Sequence, residues 1–141
     1  MDPMPSKAIA DLTHPVQLKY LDFEAKMMEA RIPFMVTSTL RTIREQAALY
    51  AQGRTKPGKI VTWTMNSKHL PRVEDDGTPD EGRSHAFDIA IVRDGKPVWD
   101  TKVDVNEDEI PDYLQAGEIA ESVGLKWGGR WKSPDMPHME G

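Results

Sequence analysis

The chain has no cysteine, no excess of basic residues and no apolar run approaching the roughly 20 residues that would span a bilayer. Each absence removes a class of protein. Without thiols, disulfides and thiolate metal sites are excluded, so a transition metal would have to be held by histidine and carboxylate, and only four histidines are present. The net charge of −5 argues against a polyanion partner, because phosphate contacts need clustered Lys and Arg. Neither nucleic acid nor a stable membrane association is expected. The first residues, "MDPMPSKAIADLTHP", lack a basic start followed by an apolar stretch, so they do not read as a secretory signal, and synthesis in the cytoplasm is expected. What is present is ordinary for a globular chain: 38% hydrophobic and 29% charged residues over 141 positions, enough for one core and one domain, 1–141.

Apolar Val16, Leu18, Leu21, Ala25 and Met28 recur at mostly helical spacing, which predicts a first helix from Thr13, as its cap, to about Arg31. "IPFMVTST" reads as a strand. Thr42 and Glu45 form a capping box that predicts a second helix from Ile43 to about Ala51, ended by Gly53. "VTWT" (61–64) is β-prone, and 71–83, with its acidic run Glu74 to Glu81, reads as an inserted surface loop. "AFDIAIV" is the best strand in the sequence. Asp94-Gly95 predicts a tight turn into a short return strand limited by Pro97. Ala116, Ile119, Ala120 and Val123 predict a third helix before Gly124. This order implies an α+β fold with helices packed on a small, mainly antiparallel sheet.

Three places carry chemistry. Asp88 lies in the middle of the apolar strand between two alanines, where a carboxylate must either pair with a charge or coordinate a metal. His85 is three residues away, and strand parity puts it on the opposite face, with Phe87, Ile89 and Ile91. "DMPH" offers Asp135 and His138, a carboxylate and an imidazole three apart, suited to a metal ligand and a base. His69, in "NSKH", is a third candidate. Two histidines and one aspartate leave a fourth position open, as in catalytic zinc sites. Trp127 and Trp131 read as packing residues, because aromatics dominate core burial. His14, at a helix start, reads as merely exposed.

The segments "STLRTIREQAALYAQGRT", "VTWTMNSKH", "HAFDIAIV" and "GLKWGGRWKSPDMPH", in that order over about 34–139, resemble the zinc peptidases that include D-Ala-D-Ala carboxypeptidases and phage L-alanyl-D-glutamate endolysins. The family pattern is Ser-x-His, then Ala-x-Asp, then Asp or Glu-x-x-His. Ser67 with His69, Ala86 with Asp88, and Asp135 with His138 match its three elements. The resemblance implies a Hedgehog/D-Ala-D-Ala peptidase-like fold, Zn2+ held by His69, Asp88 and His138, and Asp135 as general base. It implies that Arg41 contacts the substrate or the developing oxyanion, with Gln46 and Ser67 near the substrate. Peptidoglycan stem peptides are the implied partner, of a monomer held in the host cytoplasm until a holin releases it to the periplasm or cell wall. One departure stands out: the family's histidine and aspartate lie seven apart, whereas His69 and Asp88 are nineteen apart and Ser84 holds a glycine position. A lengthened loop accounts for this at little cost. Strand parity favours His69 over His85 as the ligand.

Overall fold

The structure is a computed structural model that describes residues 6–41, 48–55, 57, 68–69 and 83–141. Gln46, Ser67, the "VTWT" segment and 71–82 of the expected insertion lie outside the described residues.

A short 3-10 turn, Ile9–Asp11, leads into helix α1, His14–Glu29. Thr13 occupies the N-cap position, but its hydroxyl makes no capping bond. Pro15 sits at the second helical position and has no N–H, which removes one of the two donors such a cap would satisfy. The stripe that α1 buries also differs from the expected one. Val16, Tyr20, Phe23 and Met27 face inward, while Leu18, Leu21 and Met28 are more than half exposed. The buried positions step by four, three and four, so they keep one line along the helix, and they carry the two aromatic rings. Tyr20 and Phe23 pack edge-on or tilted against Phe34 and Phe87, with ring centroids 5.2 to 6.5 Å apart.

Strands β1 (Phe34–Ser38), β2 (Ala86–Arg93), β3 (Lys96–Val98), β4 (Lys126–Trp127) and β5 (His138–Glu140) form one antiparallel sheet in the order β1-β2-β5-β4, with β3 also on β2. Asp94 and Gly95, at φ 53° and 76°, make the tight turn between β2 and β3. Pro97 lies in β3, which pairs with no other strand among the described residues. Residues 48–51 are helical, and Gly53 follows at φ 80°. Helix α2, Asp112–Ser122, ends before Gly124 at φ 92°. The α+β arrangement expected from the sequence is therefore the one observed.

Phe87, Ile89 and Ile91 of β2 join the core with Phe23, Met27, Tyr113, Ala116, Ala120, Trp127 and Met139. The Trp127 indole lies flat against Gly117 of α2, where a Cβ would stand 2.1 Å from the ring, so that contact requires glycine. Its Nε1–H donates to the Met136 carbonyl at 2.8 Å, tying the C-terminal loop to the core. The other face of β2, bearing Asp88, is left to the functional site.

Candidate active site

Sheet register brings Asp88 and His138 together. They are directly opposite each other in the β2–β5 pair, and directly opposed side chains share a face with Cβ atoms about 5 Å apart. His138 Nδ1 lies 3.1 Å from Asp88 Oδ1. The third participant, His69, is oriented by strand β1. The strand's end runs into Thr39, whose carbonyl oxygen lies 2.5 Å from His69 Nδ1. A carbonyl can only accept, so Nδ1 carries a proton and donates, which leaves Nε2 turned towards Asp88 Oδ1, 3.2 Å away. The two imidazoles meet edge to face with centroids 5.1 Å apart.

These donors fit a metal ion. Ligand atoms of His69, Asp88 and His138 lie within 4.8 Å of one another. In tetrahedral zinc sites, bond lengths near 2.0–2.1 Å put neighbouring ligand atoms about 3.3 Å apart. The two nitrogen–oxygen separations here, 3.1 and 3.2 Å, are close to that edge. Each imidazole also has its other nitrogen engaged. His69 donates from Nδ1 to Thr39, and His138 donates from Nε2 to Glu140 Oε1 at 2.8 Å. Outer bonds of this kind fix the ring and the tautomer of metal-ligating histidines. His85 is not in the group; its backbone binds Lys68 and Gly141 instead.

Arg41 Nη2 lies 3.1 Å from Asp88 Oδ2, so the aspartate is held by a guanidinium through one oxygen and by two imidazoles through the other. The ion pair, one of the two readings of Asp88, is thus present, and Oδ1 is the oxygen that faces both imidazoles. Burial alone would raise the Asp88 carboxyl, but the His69 and His138 charges and hydrogen bonds outweigh it and hold the group far below the usual carboxylate range. His138 balances the same way. Burial disfavours its charge, yet hydrogen bonds to Asp88 and Glu140 push it up to about 9.

Asp135 lies in the loop between β4 and β5, close enough to feel Asp88, His138, His69 and Arg41. Burial, then the neighbouring Asp88 charge, raises its carboxyl above the ordinary value, the direction a group exchanging protons near neutrality needs. Gly128 sets its place. Asp135 N–H donates to the Gly128 carbonyl at 2.9 Å, and a Cβ on Gly128 would stand 2.5 Å from the Asp135 carbonyl oxygen and 3.1 Å from His138 Cβ.

Two residues near the site depart from the sequence reading. Trp127 is buried, as expected, but Trp131 is 43% exposed, its ring centroid 4.9 Å from that of His138. Following a 3-10 turn, Gly128–Arg130, it points away from the core and cannot pack there. Glu140 was not among the expected residues. Its signal is the period of two: in a strand, residue i+2 shares the face of His138.

The geometry agrees with comparisons to known proteins. A family model described as D-alanyl-D-alanine carboxypeptidase matches residues 82–141, the stretch containing Asp88, Asp135 and His138. The peptidoglycan L-alanyl-D-glutamate endopeptidase CwlK of Bacillus subtilis (strain 168) is 36% identical over 130 residues, covering 90% of this chain and 72% of that protein. The crystal structure of the Serratia marcescens L-Ala D-Glu endopeptidase ChiX superposes with a TM-score of 0.60 at 20% identity, over 99% of this chain and 87% of that one, a likeness of fold. Identity of this level, carried along nearly the whole chain and joined to the same fold, makes this protein a member of the D-alanyl-D-alanine carboxypeptidase and L-alanyl-D-glutamate endopeptidase family of peptidoglycan peptidases.

Proposed function

We propose that the chain is a zinc-dependent endopeptidase that hydrolyses the L-alanyl-D-glutamate bond of peptidoglycan stem peptides. The observation that carries this reading is the convergence of His69, Asp88 and His138 donor atoms, with Asp135 beside them, in a chain that matches CwlK over nine-tenths of its length. His69 Nε2, Asp88 and His138 Nδ1 would hold the ion, and Glu140 and the Thr39 carbonyl orient the two rings. When bound, zinc supplies Lewis acidity and lowers the pKa of a coordinated water towards about 7.

Asp135 takes the proton of the attacking water as its oxygen bonds to the carbonyl carbon of L-alanine. It then returns the proton to the glutamate nitrogen as the C–N bond breaks, leaving a free amine and an alanine carboxyl group, whose own proton passes to solvent. Arg41 swings part of its charge from Asp88 to the developing oxyanion. Trp131 offers a half-exposed apolar face on which the stem peptide rests. In this proposal the enzyme serves phage lysis, waiting in the host cytoplasm until a holin opens the membrane. The resemblance to phage endolysins supports that setting.

A second reading, removal of the terminal D-alanine by a carboxypeptidase, is favoured by the description of the matching family model. Digestion of purified peptidoglycan, followed by mass analysis of the muropeptides, separates the two. Fragments with a new glutamate amino terminus, formed by metal-loaded but not by chelator-treated protein, are expected. Free D-alanine as the sole product would replace the first reading with the second, and equal digestion after chelation would exclude both mechanisms.

A further inference from the structure

A second oxygen-rich group lies in the connector between β3 and α2, sharing no residue with the site above. Its sequence is "DVNEDEIPD", residues 104–112, with Asp104, Asn106, Asp108 and Asp112 at positions one, three, five and nine. Carboxylate oxygens of the three aspartates lie within 4.8 Å of one another. The backbone wraps around them. Asp104 accepts from the N–H groups of Asp108 and Glu109 at 3.3 and 2.8 Å, and Asp108 Oδ1 accepts from Ile110 N–H at 2.9 Å. Glu107 and Glu109 take left-handed conformations, φ 56° and 70°, which turn the chain back on itself.

An independent observation comes from Asp112. It is fully buried, and while its Oδ2 accepts from Val105 N–H at 2.6 Å, its Oδ1 has no hydrogen-bond partner. A carboxylate oxygen removed from water without a partner is costly. Among the described residues, none of the three aspartates forms an ion pair within 4.0 Å. Three carboxylates gathered with one unsatisfied buried oxygen call for a cation.

We propose that residues 104–112 form a calcium site in which Asp104, Asp108 and the unpartnered oxygen of Asp112 are ligands. All-oxygen donors exclude the softer metals that suit imidazole, and carboxylates gathered by a tight acidic loop suit the larger, less rigid coordination of Ca2+ better than that of Mg2+. The loop lacks the bidentate glutamate that closes a high-affinity calcium loop at its twelfth position, so it belongs with the weak sites, whose Kd is about 10⁻⁴ to 10⁻³ M. The ion stabilises a junction. Asn106 Nδ2 donates to the Ala30 carbonyl at the end of α1, and Asp112 N–H donates to the Val103 carbonyl, so ligation fastens the start of α2 to both.

The test is calorimetric titration of the full chain with CaCl2 after chelation and reloading with zinc, alongside thermal unfolding with and without calcium. One Ca2+ per chain and a higher Tm in calcium are expected. The double substitution Asp104→Asn, Asp108→Asn keeps oxygens that can accept the loop's hydrogen bonds. It should unfold without calcium at or above the wild-type Tm and bind at least about ten-fold more weakly. His138→Ala should bind calcium as wild type does. The proposal is overturned by the absence of heat and Tm shift in wild type at about ten times the weakest expected Kd, by undiminished binding in the double variant, by loss of binding in His138→Ala, or by an equal response to magnesium.

Discussion

Gly128→Ala is a one-carbon change that should disable the site while leaving its chemistry in place. The backbone at Gly128 is not in the left-handed region, so alanine adds no conformational strain there, and only the space matters. The added Cβ would stand 2.5 Å from the Asp135 carbonyl oxygen, 3.1 Å from His138 Cβ and 3.2 Å from Asp135 Cβ. Ordinary contact begins near 3.4 Å, so the chain carrying Asp135 and His138 must retreat by about 0.9 Å. Overpacking of this kind costs about 1–3 kcal/mol, and a misplacement near 1 Å costs about 10²-fold in rate. The expected outcome is a kcat/KM on an L-Ala-D-Glu stem peptide reduced about 100-fold, with a Tm lower by roughly 3–12 °C. Gly95→Ala is the control. A Cβ there meets nothing within 4 Å, but its φ of 76° makes alanine cost about 1–2 kcal/mol, so Tm should fall while kcat/KM stays at the wild-type value. Wild-type kcat/KM in Gly128→Ala would show that the close approach at Gly128 does not place Asp135 and His138, as would equal losses of activity in both variants.

Trp131→Ala should raise KM by roughly 3- to 10-fold, the worth of one aromatic contact, with little change in Tm; a large fall in Tm at unchanged KM would return Trp131 to a packing role. In the metal-free protein, His138 is raised to about 9 from an unfolded value of 6.5, so its stabilisation is fully present below pH 6.5 and is lost as pH rises through 9. The urea midpoint of chelated protein should therefore fall between about pH 6 and about pH 10, and fall less in Glu140→Gln, where one of the two hydrogen bonds that favour the charged ring is weakened. Asp88 contributes in the opposite sense: its stabilisation is present above the ordinary carboxylate range and disappears only in strong acid. Tyr113→Phe removes a hydroxyl that donates to the Val98 carbonyl and accepts from Ile91 N–H, which should cost about 1–3 kcal/mol in denaturant unfolding; a change below a few tenths would show that both backbone groups find other partners.

Local features of the fold were legible where one residue type has one geometry available. Asp94-Gly95 announced its turn, and the strand around Asp88 announced itself by its apolar, β-prone run. The stripe of α1 was misread because the helix carries two apolar lines. Nothing local says which one meets the sheet, and the aromatic pair Tyr20 and Phe23 decided it through contacts with Phe34 and Phe87. Parity alone separated His85 from Asp88. The pairing of Asp88 with His138, fifty residues on, is a fact of register between β2 and β5, which depends on the whole topology. The orientation of His69 by a main-chain carbonyl has no sequence signature at all. Glu140 and the aspartates of 104–112 did have one, in strand period and in spacing, but such patterns are common on surfaces, and burial is what distinguishes them.

The most direct measurement is the zinc content of the purified full chain by elemental analysis, made on wild type, His69→Ala and His85→Ala. About one zinc per chain is expected in wild type and in His85→Ala, and a loss of stoichiometric zinc in His69→Ala, where one of the three proposed ligands is gone. Zinc retained in His69→Ala but lost in His85→Ala, or no zinc in the wild-type protein, would contradict this ligand set.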